Sequence, residues 1–582
     1  MNFHNALKIV GIAGLTFAIS TSDLFFAEYA APINVDQGRD WNASTRDAFY
    51  SLDQGSRLIP LSWITALKQP NGAPFMEGSL GRYGYLPNAA SKPAGLPVGF
   101  VAADQGEDKI LGLTCSACHT RQIEVGGTSY RIDGGPALAD IGALWSDIDI
   151  AVAKVLAEPA AFADFAQAVN GQSRSPEKDR ELRKALQDWF TPFHAITEGG
   201  LPRPPRNNPW GPGRLDAVGM ILNRVTGLDI GVTPDRIIGS NIVLANAPVR
   251  PPLIWNAWRQ DLTQWPGFAP NGDDILGLLR NLGEVYGVFG VFHPKKDASK
   301  LLGIDYLAGN SANFDGLLQL EDLTKKIGPP KWPREWPLDS ALADAGKKIF
   351  ERSTDKGGCA ECHGVKPGVS RLLNNDTWAT PIKDVATDSK EYAALQRPAA
   401  TGVLEGAQIP IVNPQPLQST DSAVNVPGTV VKASVLQQLL PIDVNARERK
   451  RWDFTLKMFM PKIEEALKDG YKTPPAAIGA AYEARVLEGI WAAAPYLHNG
   501  SVPTLAELLK PATERVSEFK IGPNYDLNNV GLATDQSKFN YTMKTTDCAA
   551  RDSGDSRCGH EYGTTTLTPD EKKALLEYLK IL

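Results

Sequence analysis

Apolar positions recur at helical spacing in several separate stretches of the chain. Asp140 to Leu156, Glu177 to Phe190 and Asp273 to Tyr286 each place apolar residues on one helical face. Leu338 to Phe350 is similarly amphipathic, and another such segment ends the chain. Glycine and proline are frequent between these stretches, with 53 and 43 residues. The pattern therefore predicts a mainly α fold with extensive loops and little regular β structure.

Two short motifs outside this pattern carry the clearest chemistry. Residues 115–119 read Cys-Ser-Ala-Cys-His, and residues 359–363 read Cys-Ala-Glu-Cys-His. C-x-x-C-H is the attachment motif of c-type haem, in which the thiols bind the porphyrin and the His binds the iron. Zinc would need four ligands, and a thioredoxin-like pair would not need the His. We therefore predict two covalently bound haem c groups, held by Cys115, Cys118, His119, Cys359, Cys362 and His363.

The residues around the second motif are arranged as in a small class I cytochrome c. Leu338 to Phe350 leads into the motif, and Thr568, Pro569 and Glu571 form the start of a terminal helix. The apolar stripe of that helix consists of Ala574, Leu575, Tyr578 and Leu579. We expect these two helices to pack across each other. Residues 338–582 are therefore predicted to form one cytochrome-like domain with a long insertion.

Two further stretches divide the chain. Residues 329–337 are rich in proline and predict a linker after an N-terminal haem domain that covers residues 32–328. Residues 1–31 have the pattern of an export signal, because Lys8 precedes an apolar run shorter than the roughly 20 residues of a membrane helix. An uncleaved N-terminal anchor is the alternative. We expect a periplasmic or secreted protein without another membrane span, and a net charge of -6 indicates no nucleic-acid partner.

The second axial ligand of each iron decides between electron transfer and chemistry on a bound molecule. His560 lies shortly before the terminal helix, where class I cytochromes place that ligand, and we predict that it binds the second iron. Met543 is the alternative, with His560 then an ordinary surface residue. Cys548 and Cys558 are predicted to form a disulfide in an oxidising compartment, and two buried thiols are the alternative.

The first iron has no comparably placed ligand in the sequence. His194 and Met220 are the candidates, and we favour an open position at which peroxide or O2 binds. Glu284 is a candidate acid for O–O cleavage, although an ion pair is the more ordinary role of such a residue. Arg131 and Arg214 are candidate partners of the haem propionates.

One segment near the C-terminus resembles a known family. Residues 494–505, APYLHNGSVPTL, are similar to the APYFHDGSVPTL segment of bacterial dihaem cytochrome c peroxidases. Thr387 and Asp388 resemble the start of that family's TDPR element, whose last two residues are replaced here. The long central region and the ending GHEYG at residues 559–563 are more similar to the rubber oxygenases. Those dihaem relatives use one haem to bind O2 and cleave a polyisoprene double bond.

The resemblance implies roles for individual residues. It makes the first haem the active one and supports His560 as a ligand of the second. It implies that Trp255 and Phe268 are catalytic residues of the pocket, whereas Trp255 and Trp265 as core aromatics are the alternative. The peroxidases place a dissociable His shortly after the first motif, and this sequence has none there. His498 is expected to hydrogen-bond a propionate or the backbone rather than to bind iron.

Taken together, the sequence predicts an exported dihaem oxidoreductase. The first haem would activate peroxide or O2, and the second, held by His363 and His560, would transfer electrons. The expected partners are peroxide or O2 and a hydrophobic organic substrate or a small redox protein. An electron-transfer protein without substrate chemistry is the alternative, and a peroxide-dependent enzyme that modifies other proteins is a third. The sequence does not separate peroxidase from dioxygenase.

Overall fold

The computed structural model describes residues 31–582 except 106–107, 205–206, 301, 372–375, 410–414, 440–479 and 550. All of the predicted export signal except its last residue lies outside this part of the chain. Within the described ranges, no helix is long and apolar enough to cross a membrane. Helices form the larger elements, and the strands pair in small sheets of two or three. The fold class as a whole stays a prediction.

The helices of the described residues vary widely in length. In chain order they are α1 Ala43–Ser51, α2 Leu61–Ala66, α3 Ile141–Ala157, α4 Pro159–Asn170, α5 Pro176–Gly200, α6 Ala217–Gly227, α7 Asp274–Gly287, α8 Phe314–Thr324, α9 Ser340–Phe350, α10 Ala360–His363, α11 Lys390–Gln396, α12 Asn425–Leu439, α13 Leu505–Leu508 and α14 Pro569–Ile581. Helices α3, α5, α7, α9 and α14 cover the segments that the apolar spacing marks.

Side-chain caps explain where several of these helices begin. Asp140 accepts a hydrogen bond from the backbone of α3, and Asp273 does the same for α7. Thr568 and Glu571 form the predicted capping box of α14. Helix α5 continues beyond the predicted end at Phe190 and through Pro192 to Gly200. The extension buries further apolar residues, which offsets the hydrogen bond that proline cannot donate.

The strands are short. They are β1 Ile33–Asn34, β2 Ile59–Pro60, β3 Phe100–Gln105, β4 Asp108–Leu113, β5 Thr120–Val125, β6 Thr128–Asp133, β7 Leu262–Thr263, β8 Ala269–Pro270, β9 Lys295–Lys296, β10 Ile304–Asp305, β11 Ile382–Lys383, β12 Pro398–Ala400, β13 Thr420–Ser422, β14 Tyr482–Glu483, β15 Glu518–Lys520, β16 Tyr525–Asp526, β17 Gly531–Leu532 and β18 Thr542–Lys544.

Two antiparallel hairpins flank the first C-x-x-C-H motif. Strands β3 and β4 pair with Phe100 opposite Leu113, and β5 and β6 pair with Thr120 opposite Asp133. The outer strands β2 and β1 complete two three-stranded sheets. The motif therefore connects two sheets, because β4 ends just before it and β5 begins directly after it.

Helices α9 and α14 cross at close range, as the sequence predicts. A Cβ built on Gly346 of α9 would lie 2.0 Å from the carbonyl oxygen of Ala574 in α14, so only glycine permits this approach. The rings of Phe350 and Tyr578 meet edge to face at 5.4 Å. Together the two helices form one wall beside the second motif.

The proline-rich segment 329–337 lies in a core that both halves of the chain share. Trp332 and Trp336 are buried, and their rings meet each other and Trp491 at 4.9 to 5.5 Å. The same cluster contains early residues such as Trp41 and late ones such as Leu579. Burial of large aromatic rings favours this packing over an exposed course. The predicted domain boundaries stay a prediction.

Candidate functional site

The second C-x-x-C-H motif opens onto a cavity of about 150 Å³, here called the second cavity. Cys359 and His363, at the start and end of the motif, line it, and so does His560. Helices α10, α13 and α14 supply parts of the wall. The other lining side chains are largely aliphatic and include Leu487, Ile490, Leu505, Leu508, Leu575 and Leu579.

His363 and His560 face each other across this cavity. Their ring centroids are 6.0 Å apart, with 40° between the ring planes. Two imidazole nitrogens that each bind a metal at about 2 Å give a ring separation of this size. The Nδ1 of His363 lies 2.7 Å from the carbonyl oxygen of Arg485. Because that oxygen only accepts, Nδ1 carries the proton and Nε2 is left to bind iron. The pair therefore fits two axial ligands of one haem.

Arg250 adds a further feature that fits a haem. It lines the second cavity, and its buried Nη1 has no hydrogen-bond partner among the described residues. Its Nε donates to the carbonyl oxygen of Leu497 at 2.9 Å, which holds the side chain in place. Burial lowers the pKa of this guanidinium to about 9, with the positive charge of Arg485 adding to the effect. A free, buried N–H of this kind suits a propionate oxygen.

The loop that carries His560 is fixed at several points. His560 has a left-handed backbone with φ 53°, and its N–H donates to the carbonyl oxygen of Val385 at 2.7 Å. Nη1 of Arg515 donates to the carbonyl oxygens of Arg557 and Gly559 at 2.7 and 2.8 Å. Burial, followed by the charge of His363, lowers the pKa of His560 to about 3. The imidazole is therefore neutral, which is the form that binds a metal.

The structure also joins Cys548 and Cys558 in the predicted disulfide. The disulfide closes a loop that ends at Cys558, two residues before His560. Met543, the alternative ligand, is fully buried in a separate cluster with Leu138 and Ile521 and does not line the second cavity. His560 is thus the one of the two predicted alternatives that the structure brings to the second motif.

His498 lines the second cavity but has a protein partner. Its Nε2 lies 2.9 Å from Oδ2 of Asp388, and its ring stacks on Tyr482 at a centroid distance of 3.8 Å. Burial acts to raise the pKa of Asp388, but the charge and hydrogen bond of His498 hold it below its usual value. The predicted bond of His498 to a propionate or the backbone stays a prediction. The contact between His498 and Asp388 joins the two segments on which the family resemblance rests.

The first C-x-x-C-H motif opens onto another cavity of about 160 Å³, here called the first cavity. Cys115, Cys118 and His119 line it, together with residues of α6 and α7 and of the loop between Val249 and Trp265. His119 is the only His among its described lining residues. Burial lowers the pKa of His119 to about 4, so this imidazole is also neutral and suited to a metal. Thiols, imidazole and a predominantly apolar wall fit a second haem.

The two candidate sixth ligands of the first iron lie in different places. His194 is half-exposed on α5, where it pairs with Asp149 at 2.9 Å, and it does not line the first cavity. Met220 on α6 does line the cavity. Its sulfur lies close to α5. A Cβ built on Gly200, the last residue of that helix, would be 3.6 Å from the sulfur atom. The open position stays a prediction.

Trp255 and Phe268 lie outside the lining of the first cavity. Trp255 is buried, and its indole N–H donates to the carbonyl oxygen of Glu488 at 2.7 Å, which holds the ring in the core. Trp258 and Trp265 line the cavity instead. Phe268 lines a small adjoining cavity of about 30 Å³. The catalytic role of both residues stays a prediction, and the positions favour Phe268.

Two carboxyl groups line the first cavity. Glu284 accepts a hydrogen bond from Nε2 of Gln264 at 2.9 Å, and burial raises the pKa of its carboxyl. Arg280, one turn earlier, pairs with Glu321 at 2.5 Å. Burial also raises the pKa of Glu391 well above its usual value, and the nearby carboxylates add to the shift. Sequence reasoning missed Glu391, because no motif or periodicity marks it.

Arg131 and Arg214, the candidate partners of the haem propionates, do not line either cavity, whereas Arg250, Arg280 and Arg485 do. Arg131 donates to the carbonyl of Pro87 and to Gln122, and Arg214 pairs with Asp555, so neither lines a haem cavity. The two cavities instead share three lining residues, which are Leu253, Trp265 and Arg485. These come from chain segments far apart, and only the fold places them in one wall.

Comparison with known proteins gives a partial relationship. Residues 481–520 match the family described as RoxA-like, cytochrome c-like. An uncharacterised Sinorhizobium fredii protein, y4iJ, is 29% identical over 94% of this chain and 92% of its own. A second uncharacterised protein of that bacterium, y4iM, is 27% identical over 56% of this chain and 63% of its own. The names of these relatives state no activity. The family match supports a c-type cytochrome oxidoreductase with covalently bound haem c.

Proposed function

We propose that the protein is an exported dihaem oxidoreductase whose first haem activates O2 or peroxide and whose second haem transfers electrons. The contrast between the cavities carries this proposal. His363 and His560 face each other at 6.0 Å in the second cavity, whereas His119 is the only described His in the first. A haem with an open axial position supplies chemistry on O2 or peroxide, and one with two imidazoles supplies electron transfer.

The adjoining cavity favours a hydrophobic organic substrate. Apart from polar Gln264, Arg280 and Glu284 at the boundary with the first cavity, its walls are apolar. The apolar side chains are Val218, Ile221, Leu222, Phe268, Ala269, Leu395, Val424 and Pro427. Such a surface favours contact with an apolar group and offers little to a charged ligand. Oxidation of an apolar substrate next to the first motif is therefore favoured over oxidation of a charged donor there.

Glu284 is placed to supply a proton. It lines both the first cavity and the adjoining one, and Gln264 orients its carboxyl group. Its raised pKa keeps the proton on the carboxyl to higher pH than in water. Cleavage of an O–O bond needs a proton donor at the departing oxygen, and a positioned carboxylic acid can serve as that donor.

Trp265 forms part of the wall between the two cavities. Its indole N–H donates to the carbonyl oxygen of Arg250 at 3.1 Å, which fixes the ring. The guanidinium groups of Arg250 and Arg485 lie 4.9 and 5.6 Å from its ring centre. A fixed aromatic ring in the shared wall suits electron transfer between the sites.

Spectra of the resting holoprotein test the proposal. We expect a mass corresponding to two attached haems, one low-spin electron paramagnetic resonance signal and one high-spin signal that cyanide shifts. Two low-spin haems that do not respond to cyanide or CO would support the electron-transfer alternative and overturn the proposal. Met220→Leu is the matched variant. If Met220 binds the first iron, this change converts a low-spin haem to a high-spin one, and otherwise the spectrum stays the same.

Activity assays then distinguish the co-substrates. The same holoprotein is supplied with O2 and an apolar polyene, or with peroxide and a reduced small cytochrome. The apolar adjoining cavity leads us to expect polyene cleavage products with O2. Turnover of the cytochrome by peroxide alone would instead indicate a peroxidase. Turnover in neither assay, despite an accessible high-spin haem, would contradict both forms of the proposed enzyme.

A further inference from the structure

Arg485 contacts the proximal ligand of the second haem through its backbone. Its carbonyl oxygen accepts the Nδ1–H of His363 at 2.7 Å. A hydrogen bond of this kind fixes the tautomer and the plane of a ligating imidazole and makes it a stronger donor to iron. The position of residue 485 therefore sets the orientation of His363.

The side chain of Arg485 reaches the loop beside the first motif. Its Nη1 donates to the carbonyl oxygen of Leu253 at 2.5 Å. The preceding residue, Pro252, lines the first cavity together with Leu253 and His119. Leu253 also lines both cavities. One residue thus connects, through two backbone carbonyls, the surroundings of His363 and His119.

The charge of Arg485 also lies between the sites. The residue is 7% exposed, and its Nε donates to the carboxylate of Glu483 at 2.5 Å. Glu483 lines only the second cavity, whereas Arg485 lines both. Arg485 and His119 both line the first cavity. The positive charge therefore lies near the first motif as well as the second, although Glu483 is its carboxylate partner.

We propose that Arg485 is a positioning residue that couples the two haem sites. Its carbonyl orients His363, and its guanidinium holds the loop beside His119 while adding positive charge to the shared wall. The inference rests on the proposed function only in requiring both haems to be attached. It adds that the reduction potentials of the two haems are set in part by the same side chain.

The electrostatic sign of this coupling is defined. A nearby positive charge stabilises the ferrous form relative to the ferric form, which has one more positive charge. Arg485→Gln is therefore expected to lower the midpoint potentials of both haems. Glu483→Gln removes a negative charge from the second cavity and is expected to raise the potential of the second haem. Arg485→Lys keeps the charge, so its potentials should lie between those of the wild type and Arg485→Gln.

The test is a potentiometric titration of each holoprotein, followed by the absorption bands of the two haems, with haem content measured by mass. Arg214→Gln is the control, because Arg214 is equally buried but lines neither cavity. It should leave both potentials unchanged even if the protein becomes less stable. Glu483→Gln and Arg485→Lys keep the inference testable if Arg485→Gln fails to fold.

The outcomes separate this inference from the proposed function. Lowered potentials of both haems in Arg485→Gln, with the opposite shift in Glu483→Gln, support the coupling. Unchanged potentials in a variant that carries both haems overturn it, and so does a shift at the second haem alone. A wild-type protein with a single attached haem contradicts the proposed function instead.

Discussion

Single residues decide what each cavity can do, and Glu284 is the one nearest to the proposed chemistry. Its burial raises the pKa of the carboxyl, so the folded protein keeps this proton above the pH at which a free glutamate loses it. A group of this kind is an acid catalyst below its raised pKa and becomes ineffective as pH rises through that value. Burial also raises the pKa of Glu391, which lines the same cavity.

Glu284→Gln is expected to lower turnover by about 10²- to 10⁴-fold, because glutamine cannot donate a proton in the same way. The wild-type rate should fall as pH rises through the raised pKa of Glu284, and this limb should be missing in the variant. Steady-state rates across the pH range measure both effects. Asp274→Asn, an exposed change on the same helix, is the control and should keep the wild-type profile. An unchanged pH profile in Glu284→Gln would exclude the role.

Sequence reasoning works for residues whose position in the chain is informative and fails for those placed by the fold. His560 could be predicted because it stands in the loop ahead of a capped terminal helix, where few alternatives exist. Arg485 could not, because its partners Leu253 and His363 are far from it in sequence. The resemblance places Trp255 in the pocket, and its sequence position does not show that its indole N–H donates to the carbonyl oxygen of Glu488.

At the scale of secondary-structure elements, the apolar spacing predicts the long helices well because each buries one face. It underestimates α5, since Pro192 suggests an end that the buried residues beyond it outweigh. The hairpins around the first motif were not predicted. Strands β5 and β6 are joined at Gly126 and Gly127, and the pairing partners of the strands are set by tertiary contacts that a single sequence does not display.

The loop closed by the Cys548–Cys558 disulfide is expected to support the second haem. A double change to serine removes a link between residues 10 apart in sequence, which is worth up to about 3 kcal/mol in free energy of unfolding. The loosened loop should release His560 in part and give the second haem some high-spin character. Thermal unfolding and electron paramagnetic resonance measure these two effects.

Reduction of the wild-type disulfide is the matched treatment and should reproduce the variant spectrum. An unchanged second haem in both cases would show that Arg515 and Val385 hold His560 without the disulfide.

At the scale of the whole molecule, the two haem cavities are neighbours in one body. They share Leu253, Trp265 and Arg485 as wall residues. The aromatic cluster around Trp336 joins residues from both ends of the chain. Trp332 and Trp336 of segment 329–337 belong to this shared cluster.

Trp336→Ala is expected to lower the stability of both the N-terminal and the C-terminal half of the protein. Truncation of a buried tryptophan typically costs about 3 to 5 kcal/mol, and the resulting cavity would lie in the shared core. Hydrogen exchange should show lower protection around Trp41 as well as around Trp491. Leu338→Ala, next to the same segment at a position that is 38% exposed, is the control and should change little. Lower protection in the C-terminal half alone would mean that the halves are stabilised independently.

The docking of residues 559–560 on the backbone near Val385 has a consequence for maturation. A Cβ on Gly559 would lie 2.4 Å from the Val385 carbonyl oxygen, so the contact leaves no gap. Cys359, Cys362 and His363 precede this loop in the chain, and the loop closes the opposite face of their cavity. If this cavity holds a haem, we expect the porphyrin to enter and form its thioether bonds before the C-terminal loop docks. The order of synthesis, with the attachment motif first and the closing loop last, suits that requirement.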